Sequence, residues 1–392
     1  MPSSRVAVRS PDASPKPSSQ RHIPELDGIR GLAILIVIVF HFGGFQDTGA
    51  NVLVHAWRGV VSLSWTGVDL FFVLSGCLIT GILVDSKGSP NYFRSFYMPR
   101  VLRIFPLYYL CLLFFFGVML PSARHSGVER AWMHLPAWEQ LPYWVYLSNW
   151  RSAFGPFAFS PIGHLWSLSI EEQFYIVWPA VVFLLTGKAL LRLCGVLILV
   201  PLVLRNLPMF QAMQTTHEEF LYRLTPFRVD TLACGAAIAL LARIPSDRYA
   251  TRLRVFLLVV GSALLIAAIA STGYAGSDTP AMTRLGFTGV ALLCCFPVHY
   301  AMFNSGAATG LGRFLRNGFL RSLGKFSYAM YLFHFLIASF LRRHIEPYFP
   351  SQNVTFSLVS TLAGLAAAYL LAVISWNLVE KHFLRMKRFF PY

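Results

Sequence analysis

Residues 26–42 read LDGIRGLAILIVIVFHF, and this stretch decides the fold class. From Gly31 to Phe40 every side chain is apolar or absent. In hydrocarbon such a run satisfies its backbone hydrogen bonds as a helix, and a core of about 30 Å takes about 20 residues to cross. No small-residue cleavage site of the A-x-A kind follows, so we expect a first membrane span rather than a removed signal peptide.

The composition of the whole chain supports a membrane protein. Of the 392 residues, 56% are hydrophobic and 13% charged, and the mean hydropathy is +0.56, outside the soluble globular range. The net charge is +16, but the basic residues form short clusters between apolar runs, so we expect a lipid bilayer and no nucleic acid as partner. The six cysteines lie in apolar stretches without ligand spacing, so we expect neither a disulfide framework nor a metal site.

Apolar runs of spanning length recur about ten times, which predicts an all-α, polytopic membrane helix bundle. The predicted limits are 29–45, 60–84, 101–120, 170–187, 189–205, 227–243, 254–271, 284–303, 325–342 and 355–380. An even number of spans places both termini on one side of the membrane. A tally of about 22 basic residues on that side against about 10 on the other predicts that both termini are cytoplasmic.

Three segments follow from this topology. Residues 1–22 are rich in Ser and Pro and predict a disordered cytoplasmic tail, residues 23–382 form the transmembrane domain, and residues 383–392 form a basic cytoplasmic tail. The long connection 121–169 would lie outside and carries Trp132, Trp138, Trp144 and Trp150. Such rings are typical of an interfacial belt and also of stacking platforms for sugars, and both interpretations stay open.

Ionisable residues within the spans are the candidates for chemistry, because hydrocarbon makes them costly unless they face a cavity or a partner. Arg30 and His41 are eleven residues apart, which puts both on one face of the first helix about 16 Å apart. For His41, a core histidine bonded to a neighbouring helix is an equal alternative. Arg100 and Arg103 share a face of the third helix, where two guanidiniums clamp a phosphate or reach lipid headgroups.

The second and fourth spans contribute further candidates. GVDLFFVLSG places Asp69 near the outer end and Ser75 with Gly76 further in, where small residues let a backbone or a ligand approach. In HLWSLSIEEQFY, Glu171 and Glu172 point about 100° apart, so at most one faces the site, and Glu172 also fits a structural capping box. The later stretch FSYAMYLFH adds Tyr328, Tyr331 and His334. This last histidine is a rival for the catalytic base.

Together these motifs resemble the acyltransferase-3 family of multi-pass membrane O-acyltransferases. The resemblance covers residues 24–382 and rests on the spacing of Arg30 and His41, the Arg-x-x-Arg pair, FFVLSG, WSLSIEEQFY and SYAMYLFH. It implies a ten-helix bundle with no permanently bound cofactor, in which His41 is the essential catalytic residue. It also implies that Arg30, Arg100 and Arg103 serve the acyl-CoA donor. We expect the C-terminal hydrolase-like domain of some members to be absent here, which leaves a separate extracytoplasmic partner protein open.

The residues and the resemblance predict one reaction in a bacterial plasma (inner) membrane. An acyl group, with acetyl expected, passes from cytoplasmic acetyl-CoA to a hydroxyl of an extracytoplasmic glycan or similar acceptor. His41 would act as general base or as transient acyl carrier, and Asp69 or Glu172 would hold its imidazole in the required tautomer. A multi-pass transporter of an anionic or glycan-linked substrate is the alternative, which the sequence disfavours because it contains neither repeated halves nor paired broken helices.

Overall fold

The computed structural model describes residues 22–44, 51–124, 136–155, 160–244, 247–345, 348 and 353–390. This part of the chain forms helices and no strand, as the hydropathy pattern predicts. The predicted tail over residues 1–21 lies outside the described residues, and so does Trp132 of the predicted outer connection.

The α-helices follow one another in the order α1 to α18, joined in places by short 3-10 and π-helical turns. Their bounds are α1 Pro24–Phe42, α2 Val52–Leu63, α3 Gly67–Asp85, α4 Tyr92–Phe114, α5 Leu120–Arg124, α6 Ala137–Trp144, α7 Ser148–Phe154, α8 Trp166–Leu184, α9 Gly187–Asn206, α10 Pro208–Thr216, α11 Phe220–Arg223, α12 Thr225–Leu241, α13 Asp247–Thr272, α14 Phe287–Phe303, α15 Gly310–Leu315, α16 Gly318–His344, α17 Val354–Ser375 and α18 Lys381–Arg385.

Six segments of the described chain are long and apolar enough to cross a membrane. They are Val52–Asp85, Tyr92–Ser122, Gly187–Asn206, Tyr249–Thr272, Met282–Phe303 and Val354–Phe389. The other predicted spans fall on α1, α8, α12 and α16, which carry the ionisable side chains described below. The count of about ten spans and the cytoplasmic position of the termini therefore stay predictions.

Several helices continue past the apolar runs from which their limits were predicted. The span predicted over 60–84 begins at Val52, because α2 joins α3 through a 3-10 turn, Ser64–Thr66. The span predicted over 355–380 continues through a π-helical turn, Trp376–Glu380, into α18. Backbone hydrogen bonds carry a helix beyond the end of its apolar stretch, so hydropathy alone underestimates its length.

The central helices α1, α3, α12 and α16 approach one another closely, and two glycines allow this. At Gly324 on α16, an added Cβ would lie 1.9 Å from the carbonyl oxygen of Asp27 on α1. At Gly76 on α3, it would lie 1.9 Å from the carbonyl oxygen of Leu232 on α12. Gly76 therefore serves backbone packing, the first of the two predicted possibilities, and it does not line the cavity described next.

Candidate active site

A cavity of about 270 Å³ opens between α1, α3, α4, α8 and α16. Three of its lining residues are the arginines that the sequence singled out, Arg30, Arg100 and Arg103. A fourth cation, Lys387, reaches the cavity from the 3-10 turn Met386–Phe389 that follows α18. The fold thus gathers these four cations from three separate parts of the chain around one cavity, and we call them the cationic wall.

Two of these arginines have fixed guanidiniums. Arg30 Nη1 lies 3.2 Å from Asp27 Oδ1, one helical turn earlier on α1. Arg100 Nη1 donates to the carbonyl oxygen of Phe96 at 2.6 Å, and its guanidinium carbon lies 3.6 Å from the centre of the Phe96 ring. Such contacts hold each guanidinium in place beside the cavity. Their predicted donor-binding role stays a prediction.

The two adjacent glutamates on α8 point in different directions, as their helical spacing predicts. Glu171 lines the cavity together with Ser75, whose hydroxyl is hydrogen bonded to that of Tyr175. Glu172 does not line the cavity and interacts electrostatically with Tyr328. The capping-box alternative for Glu172 is wrong, because α8 begins at Trp166 and its N-cap residue makes no side-chain cap.

Both tyrosines singled out on α16 line the cavity. Tyr328 donates its hydroxyl hydrogen bond to the carbonyl oxygen of Ile104 at 2.7 Å. The Tyr331 hydroxyl lies 2.5 Å from Ser167 Oγ and 3.0 Å from the carbonyl oxygen of His164. Tyr331 therefore connects the cavity wall to a histidine outside it.

Three imidazoles form a cluster beside Tyr331. The ring centres of His41 and His334 are 4.8 Å apart, and those of His334 and His164 are 5.0 Å apart. His164 and His334 are buried, whereas His41 is half-buried at the end of α1. None of the described His, Cys, Asp and Glu residues form a group of three suited to a metal ion.

Backbone carbonyls fix the tautomers of two of these rings. His41 Nδ1 lies 2.9 Å from the carbonyl oxygen of Val37, and His334 Nδ1 lies 2.6 Å from that of Tyr331. A carbonyl oxygen only accepts, so each neutral ring carries its proton on Nδ1 and offers the lone pair of Nε2. In the described part of the chain, His334 Nε2 has no hydrogen-bond partner.

The carboxylates expected to orient His41 lie elsewhere. Asp69 Oδ1 is 2.6 Å from Arg228 Nη2, and both side chains are buried. Helix α12 brings Arg228 to α3 because the two helices pack at Gly76. The hydrogen bonds of the described residues thus join Asp69 to an arginine and His41 to its own helix, which corrects the expected orientation by Asp69 or Glu172.

Residues 23–374 match the sequence model of a protein family described as an acyltransferase domain. The chain belongs to this acyltransferase-3 family. The resemblance inferred from the motifs is therefore confirmed over most of the chain. Lys387 lies beyond the matched residues.

Similar proteins carry names of related activities. The peptidoglycan O-acetyltransferase OatA of Listeria monocytogenes is 27% identical over 92% of this chain and 56% of its own length. A Bacillus subtilis protein named "Putative peptidoglycan O-acetyltransferase YrhL" is 30% identical, over 82% and 49%. A Staphylococcus aureus protein named "Putative O-acetyltransferase" is 28% identical, over 84% and 53%. The chain thus spans about half the length of these relatives, and no solved structure matches it.

Sequence reasoning missed two residues of this acyltransferase-3 site. His164 opens the stretch HLWSLSIEEQFY just before α8, in which the predicted candidates are Glu171 and Glu172. The signal that could have identified His164 is its position two residues before α8, which begins with the motif WSLSIEEQFY. Lys387 lies in the predicted basic tail 383–392, and periodicity gives no sign that its side chain lines a cavity.

Proposed function

We propose that this protein is a multi-pass O-acetyltransferase of a bacterial plasma membrane. In this proposal it moves an acetyl group from cytoplasmic acetyl-CoA to a hydroxyl of peptidoglycan or a related extracytoplasmic glycan. Family membership supports acyl transfer, and the names of the relatives support this acceptor class. The observation that carries the proposal is a single cavity with arginines on its wall and, through Tyr331, a histidine cluster beside it.

The cavity dimensions suit part of the donor. Its volume of about 270 Å³ lies below the range of about 300 to 1,000 Å³ typical of sites for drug-sized ligands. In this proposal the narrow acyl-pantetheine arm lies inside, while the nucleotide remains at the cationic wall. Arg30, Arg100 and Arg103 would bind its phosphates through charge-assisted hydrogen bonds.

The chemistry assigned to His41 uses Nε2, because Nδ1 is bonded to the backbone. As general base, Nε2 takes the proton of the acceptor hydroxyl while the hydroxyl oxygen attacks the thioester carbonyl. The carbon–sulfur bond then breaks, and the coenzyme thiolate receives the proton back from the imidazolium. In the alternative order, Nε2 attacks the thioester carbonyl and expels the coenzyme thiolate. The acceptor hydroxyl then takes the acetyl group from the acyl-imidazolium, its proton passes to the thiolate, and the ring returns to its neutral form. Both routes need the same nitrogen to be unprotonated.

Purified protein in sealed vesicles tests the proposal directly. Acetyl-CoA labelled in the acetyl group is supplied on one side and a peptidoglycan fragment on the other, and label is followed by mass spectrometry. Ester-linked acetyl on a glycan hydroxyl is the expected product. Label that accumulates inside as unreacted donor would assign the protein to the transporters instead. Absence of both products with folded protein would refute the acceptor class.

A further inference from the structure

The C-terminal helical segment contributes a cation to the cavity from outside the family match. Helix α17 continues through a π-helical turn into α18, and the 3-10 turn Met386–Phe389 follows. Of the four residues in this last turn, Lys387 is half-buried and lines the cavity, and the other three are exposed. The turn therefore directs one of its basic side chains inward.

Contacts with α4 hold this segment at the cavity. Helix α18 and the turn after it pack against α4. The guanidinium carbon of Arg94 on α4 lies 5.1 Å from the centre of the Phe390 ring. Because α4 also carries Arg100 and Arg103, the same packing brings Lys387 next to both arginines.

Positive charge is in excess among the described residues that line the cavity. Four cations line the cavity, and Glu171 is the one carboxylate among the lining residues of the described chain. Lys387 experiences the electrostatic fields of Arg103, Arg100 and Arg30. Like charges held together away from bulk water repel one another, so the arrangement favours an anionic ligand of high charge. Coenzyme A carries about four negative charges, since a terminal phosphate contributes up to about two and a pyrophosphate about two more.

We propose that Lys387 binds a phosphate of the acyl-CoA donor as the fourth cation of the donor site. This inference rests on the proposed function and adds to it a residue from outside the matched family region. A lysine that served lipid headgroups would extend along the protein surface with its ammonium in the interface. Lys387 instead extends into the cavity that the three donor-binding arginines share.

Equilibrium binding to the purified full chain in nanodiscs tests this role. The ligands are coenzyme A and pantetheine, which lacks every phosphate, and the variants are Lys387→Ala and Lys387→Arg. Arg388→Ala is the matched control, because Arg388 is an exposed cation in the same turn. We expect Lys387→Ala to weaken coenzyme A binding about tenfold and to leave pantetheine binding unchanged. Lys387→Arg should recover most of the affinity, and Arg388→Ala should match wild type.

Three outcomes would overturn the assignment of Lys387. They are an unchanged affinity for coenzyme A in Lys387→Ala, an equal loss for pantetheine, and an equal loss in Arg388→Ala. Retained pantetheine binding also serves as the check that each variant is folded. If wild type itself binds no coenzyme A, the proposed function fails. If wild type binds and only the Lys387 effect is missing, the proposed function stands without this residue.

Discussion

Two groups of charged residues lie within the helices, and they differ in how their charges are balanced. In the first, Asp69 pairs with Arg228 at 2.6 Å and Asp230 pairs with Arg205 at 2.9 Å, all four side chains being nearly fully buried. In the second, the arginines and Lys387 face a cavity with a single lining carboxylate among the described residues. We call these the paired group and the cavity group.

The difference teaches that depth in a membrane does not by itself identify a catalytic residue. Asp69 and Arg30 both attract notice in the sequence because hydrocarbon makes ionisable groups costly. In the paired group that cost is met within the protein, since Arg228 also lies over the rings of Tyr222 and Phe287 at 4.9 and 4.7 Å. In the cavity group, four cations share one lining carboxylate among the described residues. A cluster of like charges that lines a cavity is the better indicator of function.

The largest expected effect separates chemistry from binding within the site. His41→Ala should lower the rate of acetyl transfer by about 10² to 10⁴, the usual contribution of a general base. Donor affinity should stay within about twofold of wild type, because His41 does not line the cationic wall. Transfer kinetics and coenzyme A binding on the same preparation measure both. His382→Ala, at an exposed histidine, is the control. A near-normal rate in His41→Ala would remove the catalytic assignment.

The next effect tests the paired group. Asp69→Ala leaves Arg228 charged and buried, so it should lower the free energy of unfolding by about 3 to 5 kcal/mol. Replacing both partners with apolar residues, Asp69→Leu with Arg228→Met, should recover much of that loss. Thermal unfolding in detergent measures the series. If Asp69→Ala is as stable as wild type yet inactive, Asp69 acts in catalysis and the distinction between the two groups breaks down.

A smaller effect is expected at the cationic wall. Arg103→Ala should weaken donor affinity about tenfold to a hundredfold, by the loss of about 1.5 to 3 kcal/mol in hydrogen bonds to a charged group. Its stability should change little, because the Arg103 side chain is only half-buried. Calorimetric titration with coenzyme A provides the measurement, and Arg321→Ala, at an exposed arginine of α16, provides the control. Loss of stability without loss of affinity would place Arg103 in a structural role.

The smallest effect concerns Glu171, the one carboxylate among the described residues that line the cavity. Glu171 interacts electrostatically with Arg103 and Arg30, so it opposes binding of an anion at the same wall. Glu171→Gln should therefore tighten coenzyme A binding about two- to fivefold, in keeping with a partly solvated charge interaction. Tighter binding slows release of the donor, and turnover should fall by no more than this slower release accounts for. A large drop in turnover at saturating donor would give Glu171 a catalytic role.

Much of the cavity group could be predicted from the sequence, because helical spacing and local motifs encode it. Arg100 and Arg103 share a face by their i, i+3 spacing, and both line the cavity. The paired group could not be predicted in the same way. Asp69 and Arg228 are 159 residues apart, and no period within either helix shows that the two helices pack together. The prediction that Asp69 orients His41 was wrong for this reason, because Asp69 is already bonded to Arg228.

The glycine contact between α1 and α16 is the point about which we consider a change in their crossing angle, and we call it the pivot. An added Cβ on Gly324 would lie 3.2 Å from Gly31 N, so the two helices touch at this point. His41 follows Gly31 by ten residues, and His334 follows Gly324 by ten, which places each ring about 15 Å from the pivot. A change of about 5° in the crossing angle would move a ring by about 1.3 Å relative to its partner, enough to disrupt a near-attack geometry. The angle at which α1 and α16 cross at this glycine contact thus sets the distance between the imidazoles ten residues further along each helix.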